Sequence, residues 1–90
     1  MFFNIVFTQK ERRKLAIFHL LEEQHELTIK EISKNLDLSS SVVKNILNEM
    51  ENEFDDFCFS GFKLLSKNKI NQNLPIDLNY DYYYSYLIQQ

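Results

Sequence analysis

Hydrophobic and polar positions mark out four helical stretches and one aromatic stretch. Behind Thr8, the segment KERRKLAIFHLLEEQ places Leu15, Ile17, Phe18, Leu20 and Leu21 around most of a helical circumference. An apolar arc that wide belongs to a helix central to a core. Thr8-Gln9-Lys10-Glu11 has the form of a capping box, with Thr8 accepting from the backbone of Glu11 and Glu11 reaching back. The first helix is predicted over about residues 9–24. Thr28-Ile29-Lys30-Glu31 repeats the box, with Leu27 and Ile32 as a hydrophobic staple. Ile29, Ile32, Ser33 and Leu36 form a short stripe at i, i+3, i+4, i+7, which predicts a second helix over about 29–35. The pattern breaks from Asn35 to Leu38, and Ser39 is the next N-cap, with Leu38 and Val43 as a second staple. Val43, Ile46, Leu47, Met50 and Phe54 then repeat at helical spacing and predict a third, longer helix over about 40–53. Its outward face carries Ser40, Ser41, Lys44, Asn45 and Asn48, then Glu49, Glu51 and Asn52.

Phe57-Cys58-Phe59 begins a different texture. It reads as a strand, Ser60-Gly61 as a turn and Phe62 to Ser66 as the returning strand of a β-hairpin. Gly61 is the single Gly of the chain and stands where a positive φ is cheapest. Asn68 to Pro75 reads as an irregular connector, and Asp77 or Asn79 can cap a last helix containing Tyr80, Tyr83, Tyr84, Leu87 and Ile88. The predicted fold is mostly α with a small β-hairpin: a winged helix-turn-helix, with a three-helix core, a wing and a C-terminal helix. Residues 1–75 are expected to form the winged helix-turn-helix domain. Residues 76–90 are expected to be a C-terminal helix, either a linker or the start of a following domain in a longer chain.

Composition narrows the functions. One Gly cannot build a phosphate-cradling glycine loop, and one Cys cannot form an internal disulfide or a CxxC half-site. His19 and His25 make no metal-ligand pattern with the acids, so no metal, cofactor or catalytic site is expected. The apolar run at residues 1–7 is too short to span a bilayer, and a cytoplasmic chain without membrane contact is expected. Ten Lys and Arg stand against thirteen Asp and Glu, a net charge of −3 that taken alone argues against nucleic acid. Five of those acids, however, lie within residues 49–56, which hold no base, and the remainder is ten basic against eight acidic. A local acidic block is thus attached to a mildly basic domain.

The helix 1 text RRKLAIFHLLEEQHELTIKEISKNL, the turn Asp37-Leu38-Ser39, and Ser41-Val42-Val43-Lys44-Asn45 followed by Leu47 and Met50 carry a family resemblance. From about Glu11 to Lys67 the chain resembles the N-terminal winged-helix domain of the Mga family, virulence and sugar-linked transcription regulators of Gram-positive bacteria. The resemblance implies a DNA-binding domain followed by a second helix-turn-helix, of which Asn79 to Gln90 looks like the start. It also implies double-stranded DNA as partner, with self-association, if any, through domains beyond Gln90. Many relatives carry Thr or Ser at the position of Val42 and Arg at those of Lys44 and Asn45, so this helix is short of base-reading arginines.

The residues expected at DNA are Ser39, Ser40, Ser41, Lys44, Asn45 and Asn48 on the third helix, and Lys63, Lys67 and Lys69 on or after the hairpin. Lys44 suits phosphate or guanine and Asn45 suits adenine. Each group has a plainer reading, a solvated helix face for the first and scattered surface lysines that blunt a strand edge for the second. Lys10, Arg12, Arg13 and Lys14 oppose the dipole of the first helix, and the acids of 49–56 oppose that of the third. A phosphate contact or simple solvation fits the first cluster; solvation or a surface turned away from DNA fits the second. The tyrosines at 80, 83, 84 and 86 have the spacing of a packing face rather than a stacking platform. An alternative to DNA binding is a winged helix used as a protein-interaction or dimerisation module.

Overall fold

A computed structural model describes residues 7–24, 26–56, 63–66, 69–72 and 74–89. In chain order the elements are α1 (Gln9–Glu23), α2 (Ile29–Leu36), α3 (Ser40–Asp56), β1 (Leu65–Ser66), β2 (Lys69–Ile70) and α4 (Tyr80–Ile88). The capping box of α1 is complete: Glu11 N–H donates to Thr8 Oγ1 at 3.2 Å, and Thr8 N–H donates to Glu11 Oε1 at 2.8 Å. At α2 only the forward half forms, Glu31 N–H to Thr28 Oγ1 at 3.1 Å. There the Glu31 carboxylate takes the Thr28 hydroxyl instead of its backbone N–H.

The turn between α2 and α3 depends on one residue. Asp37 caps α2 with φ 54 and ψ 50, the only non-Gly positive φ among the described residues. This left-handed step swings the chain back so that Leu38 N–H reaches the Ser33 carbonyl at 3.0 Å. The Ser33 hydroxyl donates to the Leu38 carbonyl and closes the same turn from the other side. Ser39 then starts α3, its Oγ accepting from Val42 N–H at 3.3 Å. α3 extends to Asp56, three residues beyond the expected end. No Gly or Pro interrupts Glu53 to Asp56, and Phe54, fully buried, continues the apolar stripe.

One core joins all four helices. Ile17, Phe18 and Leu21 from α1, Ile32 from α2, Val43, Leu47, Met50 and Phe54 from α3, and Tyr83 and Leu87 from α4 belong to a single buried cluster. Its centre is aromatic: Phe18 stacks on Tyr83 with centroids 5.3 Å apart, and Phe54 meets Tyr83 edge-on at 5.4 Å. Such pairs contribute about 0.5–1.5 kcal/mol beyond burial. The Tyr83 hydroxyl donates to Glu53 Oε1 at 2.7 Å, while Lys14 Nζ donates to Glu53 Oε2 at 3.1 Å. Lys14 is itself buried, and leaving such an ammonium without its carboxylate costs several kcal/mol.

The connections after α3 differ from expectation. The predicted strand Phe57-Cys58-Phe59 and the Ser60-Gly61 turn lie outside the described residues. Lys69-Ile70, expected within an irregular connector, instead forms β2 and pairs antiparallel with β1, Leu65 opposite Ile70 and Ser66 opposite Lys69. A strand of two residues is too short to show alternation, and the intervening Lys67-Asn68 lacks the Gly that marks a two-residue hairpin loop. Fully buried Leu64 anchors the ladder, and its carbonyl accepts from Asn71 N–H at 2.8 Å.

Past β2, Gln72 ties the connector to the α1–α2 junction. Its Oε1 accepts from Leu27 N–H at 2.9 Å, and its Nε2 donates to the carbonyls of Leu21 and Gln24. The two carbonyls stand at the C-terminal end of α1, where a helix leaves such groups without intrahelical partners. A turn at Pro75–Leu78 follows, with Leu78 N–H on the Pro75 carbonyl at 2.9 Å. Asn79 caps α4 through Tyr82 N–H at 2.9 Å.

Two outcomes test this account. Asp37→Gly is expected to raise stability by about 0.5–1 kcal/mol, because a left-handed residue with a Cβ is strained and an acid at a helix C-terminus opposes the dipole. Asp37→Val is expected to lower it by about 1–2 kcal/mol. Thermal unfolding of both variants checks the pair, and equal stabilities would refute the turn's role. Tyr83 is the second. Burial, followed by the hydrogen bond to Glu53, pushes its hydroxyl well above the ordinary tyrosine range. The unfolded chain therefore loses this proton near pH ~10 while the folded chain keeps it. Its contribution is fully present below pH ~10 and declines as pH rises further, by up to about 1.4 kcal/mol per pH unit. Urea unfolding from about pH 9 to about pH 11 should show a steeper loss in the parent than in Tyr83→Phe. Parallel curves would refute it.

Candidate nucleic-acid interface

The helix-turn-helix lies at residues 29–56, and the turn chemistry decides which side of α3 remains open. With Val43, Ile46, Leu47, Met50 and Phe54 buried, the exposed side of its first turns bears Ser40, Ser41, Asn45 and Asn48, with half-buried Lys44 among them. Ser41, Lys44, Asn45 and Asn48 recur at i, i+3, i+4, i+7 and so share one face. The first turn of α3 contains no acid. Its N-terminal N–H groups and positive dipole end favour an anion nearby. Ser39 is exposed, but its Oγ already serves as the α3 cap.

Three of the five acids of 49–56 are drawn to other elements, while Asp55 and Asp56 are exposed. Glu49 pairs with Lys10 at 3.3 Å and Glu53 with Lys14 at 3.1 Å, both across the α1–α3 contact. Glu51 projects to the other flank, where it meets Lys63 at 3.5 Å. About 100° of rotation per residue puts Glu49 and Glu53 within about 40° of each other and Glu51 roughly opposite. Lys10 and Lys14, for which a phosphate contact or solvation was expected, are thus held by α3. The acidic side chains read as a solvated or outward-turned block are largely held as well. Arg12 and Arg13 have no ion pair among the described residues.

Of the expected hairpin bases, Lys63 is exposed but turned toward Glu51, Lys69 is exposed on β2, and Lys67 lies outside the described residues. Residues 57–76 contain no acid of their own, and the one that faces this region, Glu51, comes from α3. Lys30 and Lys34, not singled out in the sequence, are exposed one turn apart on α2 and carry no ion pair among the described residues. Their i, i+4 spacing beside the Ile29–Ile32 stripe is the signal that could have found them. The tyrosines do pack: Tyr83 is fully buried, and Tyr80, Tyr84 and Tyr86 rest against the core. Among the described residues no group of three or more His, Cys, Asp or Glu could hold a metal ion, and no helix is long and apolar enough to cross a membrane.

The model of the M protein trans-acting positive regulator (MGA) helix-turn-helix domain matches residues 8–60, more than half of the 90-residue chain. The chain belongs to this family. The match starts at the N-cap of α1 and covers all of α2 and α3. The Mga family is one of DNA-binding regulator domains, so the helix-turn-helix read from the caps and stripes is the matched part. The β1–β2 ladder and α4 lie beyond it. No curated relative and no solved structure matches the chain.

Proposed function

We propose that this Mga-family domain binds double-stranded DNA as part of a transcriptional regulator, with α3 as the recognition helix in the major groove. The observation that carries the reading is the division of α3. Its first turns present a polar, acid-free face, while Glu49, Glu51 and Glu53 of its later turns are occupied with α1 and the hairpin. Ser40, Ser41 and Asn48 are short polar groups able to meet bases or phosphates. Asn45 has the paired donor and acceptor that adenine requires, and Lys44 suits a phosphate or a guanine edge. Ser39 contributes its hydroxyl and the helix N-terminus behind it. Lys63 and Lys69 offer basic charge to the sugar–phosphate backbone, Lys67 is added to them from its place in the sequence alone, and Lys30 and Lys34 of α2 add charge beside the groove. With a single lysine on its exposed face, α3 makes few bidentate base contacts, so affinity rests mainly on phosphates.

Fluorescence anisotropy with a labelled random-sequence duplex at two salt concentrations tests this reading. Binding is expected at low salt and should weaken steeply as salt rises. No binding at low salt, or binding insensitive to salt, would refute it. Lys44→Ala should weaken binding and reduce the slope of log affinity against log salt by about 1, with unfolding unchanged. An unaltered affinity would remove α3 from the contact.

A further inference from the structure

Glu51 is a carboxylate on the expected recognition helix, on the flank turned toward the hairpin, where simple charge repulsion from DNA would count against it. Its geometry gives it a different task. One oxygen, Oε2, accepts from Leu64 N–H at 2.8 Å and from Leu65 N–H at 3.4 Å. The other, Oε1, meets Lys63 Nζ at 3.5 Å. The side chain is 13% exposed while Lys63 is 69% exposed, so the carboxylate is the fixed partner and the lysine the adaptable one. Buried Leu64, with Leu65 and Ile70 packed against the same core, holds the hairpin base, but apolar packing is non-directional and does not by itself set the angle. Hydrogen bonds to two successive N–H groups have direction and set the angle. Asn71 closes the opposite edge, its N–H on the Leu64 carbonyl and its Nδ2 on the Lys63 carbonyl at 3.1 Å.

We propose that Glu51 is a positioning residue: it fixes the angle of the hairpin to α3 and thereby sets where Lys63 and Lys69 meet the nucleic-acid backbone. This rests on the DNA-binding reading above. Two variants that remove the same charge separate positioning from electrostatics. Glu51→Gln keeps an amide oxygen for Leu64 N–H; Glu51→Met keeps the stem and loses the acceptor. Glu51→Gln is expected to bind the random-sequence duplex at least as well as the parent. Glu51→Met should bind about tenfold more weakly than Glu51→Gln, with a salt slope lower by about 1, as one backbone contact is misplaced. Amide hydrogen exchange should show Leu64 and Leu65 protected in the parent and in Glu51→Gln, and exposed in Glu51→Met. Equal affinities and slopes for the two variants would overturn the proposal, as would a Glu51→Met chain that does not fold, since Glu51 would then be supporting the core. If the parent binds no DNA, the parent reading fails on that result. The exchange comparison still decides whether Glu51 holds the hairpin.

Discussion

The carboxylate of Glu53 is the polar centre on which the helical assembly depends. It receives Lys14 from α1 on one oxygen and Tyr83 from α4 on the other, directly beside the Phe18–Phe54–Tyr83 ring cluster. Apolar burial could hold these helices in several rotational settings, because it has no direction. A buried ammonium and a buried phenol that must share one carboxylate admit far fewer settings, since each misplacement leaves a polar group unsatisfied. Among the described residues no buried side-chain polar atom lacks a partner. The packing of α1, α3 and α4 is therefore specified by polar geometry and stabilised by the aromatic burial around it.

That arrangement explains two charge clusters that look unfavourable when each helix is considered alone. Bases at the start of α1 and acids in the later turns of α3 each oppose their own helix dipole, a cost of roughly 0.3–1 kcal/mol per charge. Lys10–Glu49 and Lys14–Glu53 span the same 39 residues of sequence, so the two helices run side by side in the same direction here. Each cluster supplies the other's counter-charge. The exposed Lys10–Glu49 pair adds little, whereas the buried Lys14–Glu53 pair is the one whose disruption is expensive.

Much of this was legible in the sequence, and the parts that were not share a physical cause. Caps and stripes depend on residues within one or two turns, so Thr8, Thr28 and Ser39 were readable as helix starts from spacing alone, and Asn79 as one of two candidates with Asp77. Asp37 was readable as a break in pattern but not as a left-handed residue, since Asp, unlike Gly, does not advertise that conformation. Gln72, Glu51 and Glu53 were not readable at all. Each acts on a partner 13 or more residues away, and a polar side chain in a polar stretch has no periodic signature. β1 falls within the strand expected over Phe62 to Ser66, whereas its partner β2 was missed for the related reason that a two-residue strand contains no period. The candidate site falls between these cases. The polar face of α3 follows from helical spacing, whereas the acid opposite Lys63 comes from another element and emerges only on folding.

Net charge is accordingly a poor guide to what the proposed contact face presents. Lys44 and Glu53 are nine residues apart on one helix, about 13 Å at 1.5 Å per residue. That exceeds the screening length of about 8 Å at physiological salt. Glu49 is nearer, at about 7.5 Å along the axis, but Lys10 stands beside it. A phosphate brought to the first turns of α3 would meet Lys44 and the positive end of the helix dipole, and would see the acids beyond through counter-charges and screening solvent. The overall −3 is a sum over the whole chain, in which the five acids of the later turns of α3 outweigh bases that stand elsewhere, Lys44 at the other end of the same helix among them. The arrangement of the cations therefore governs the field at the face, and their number sets how strong that field can be.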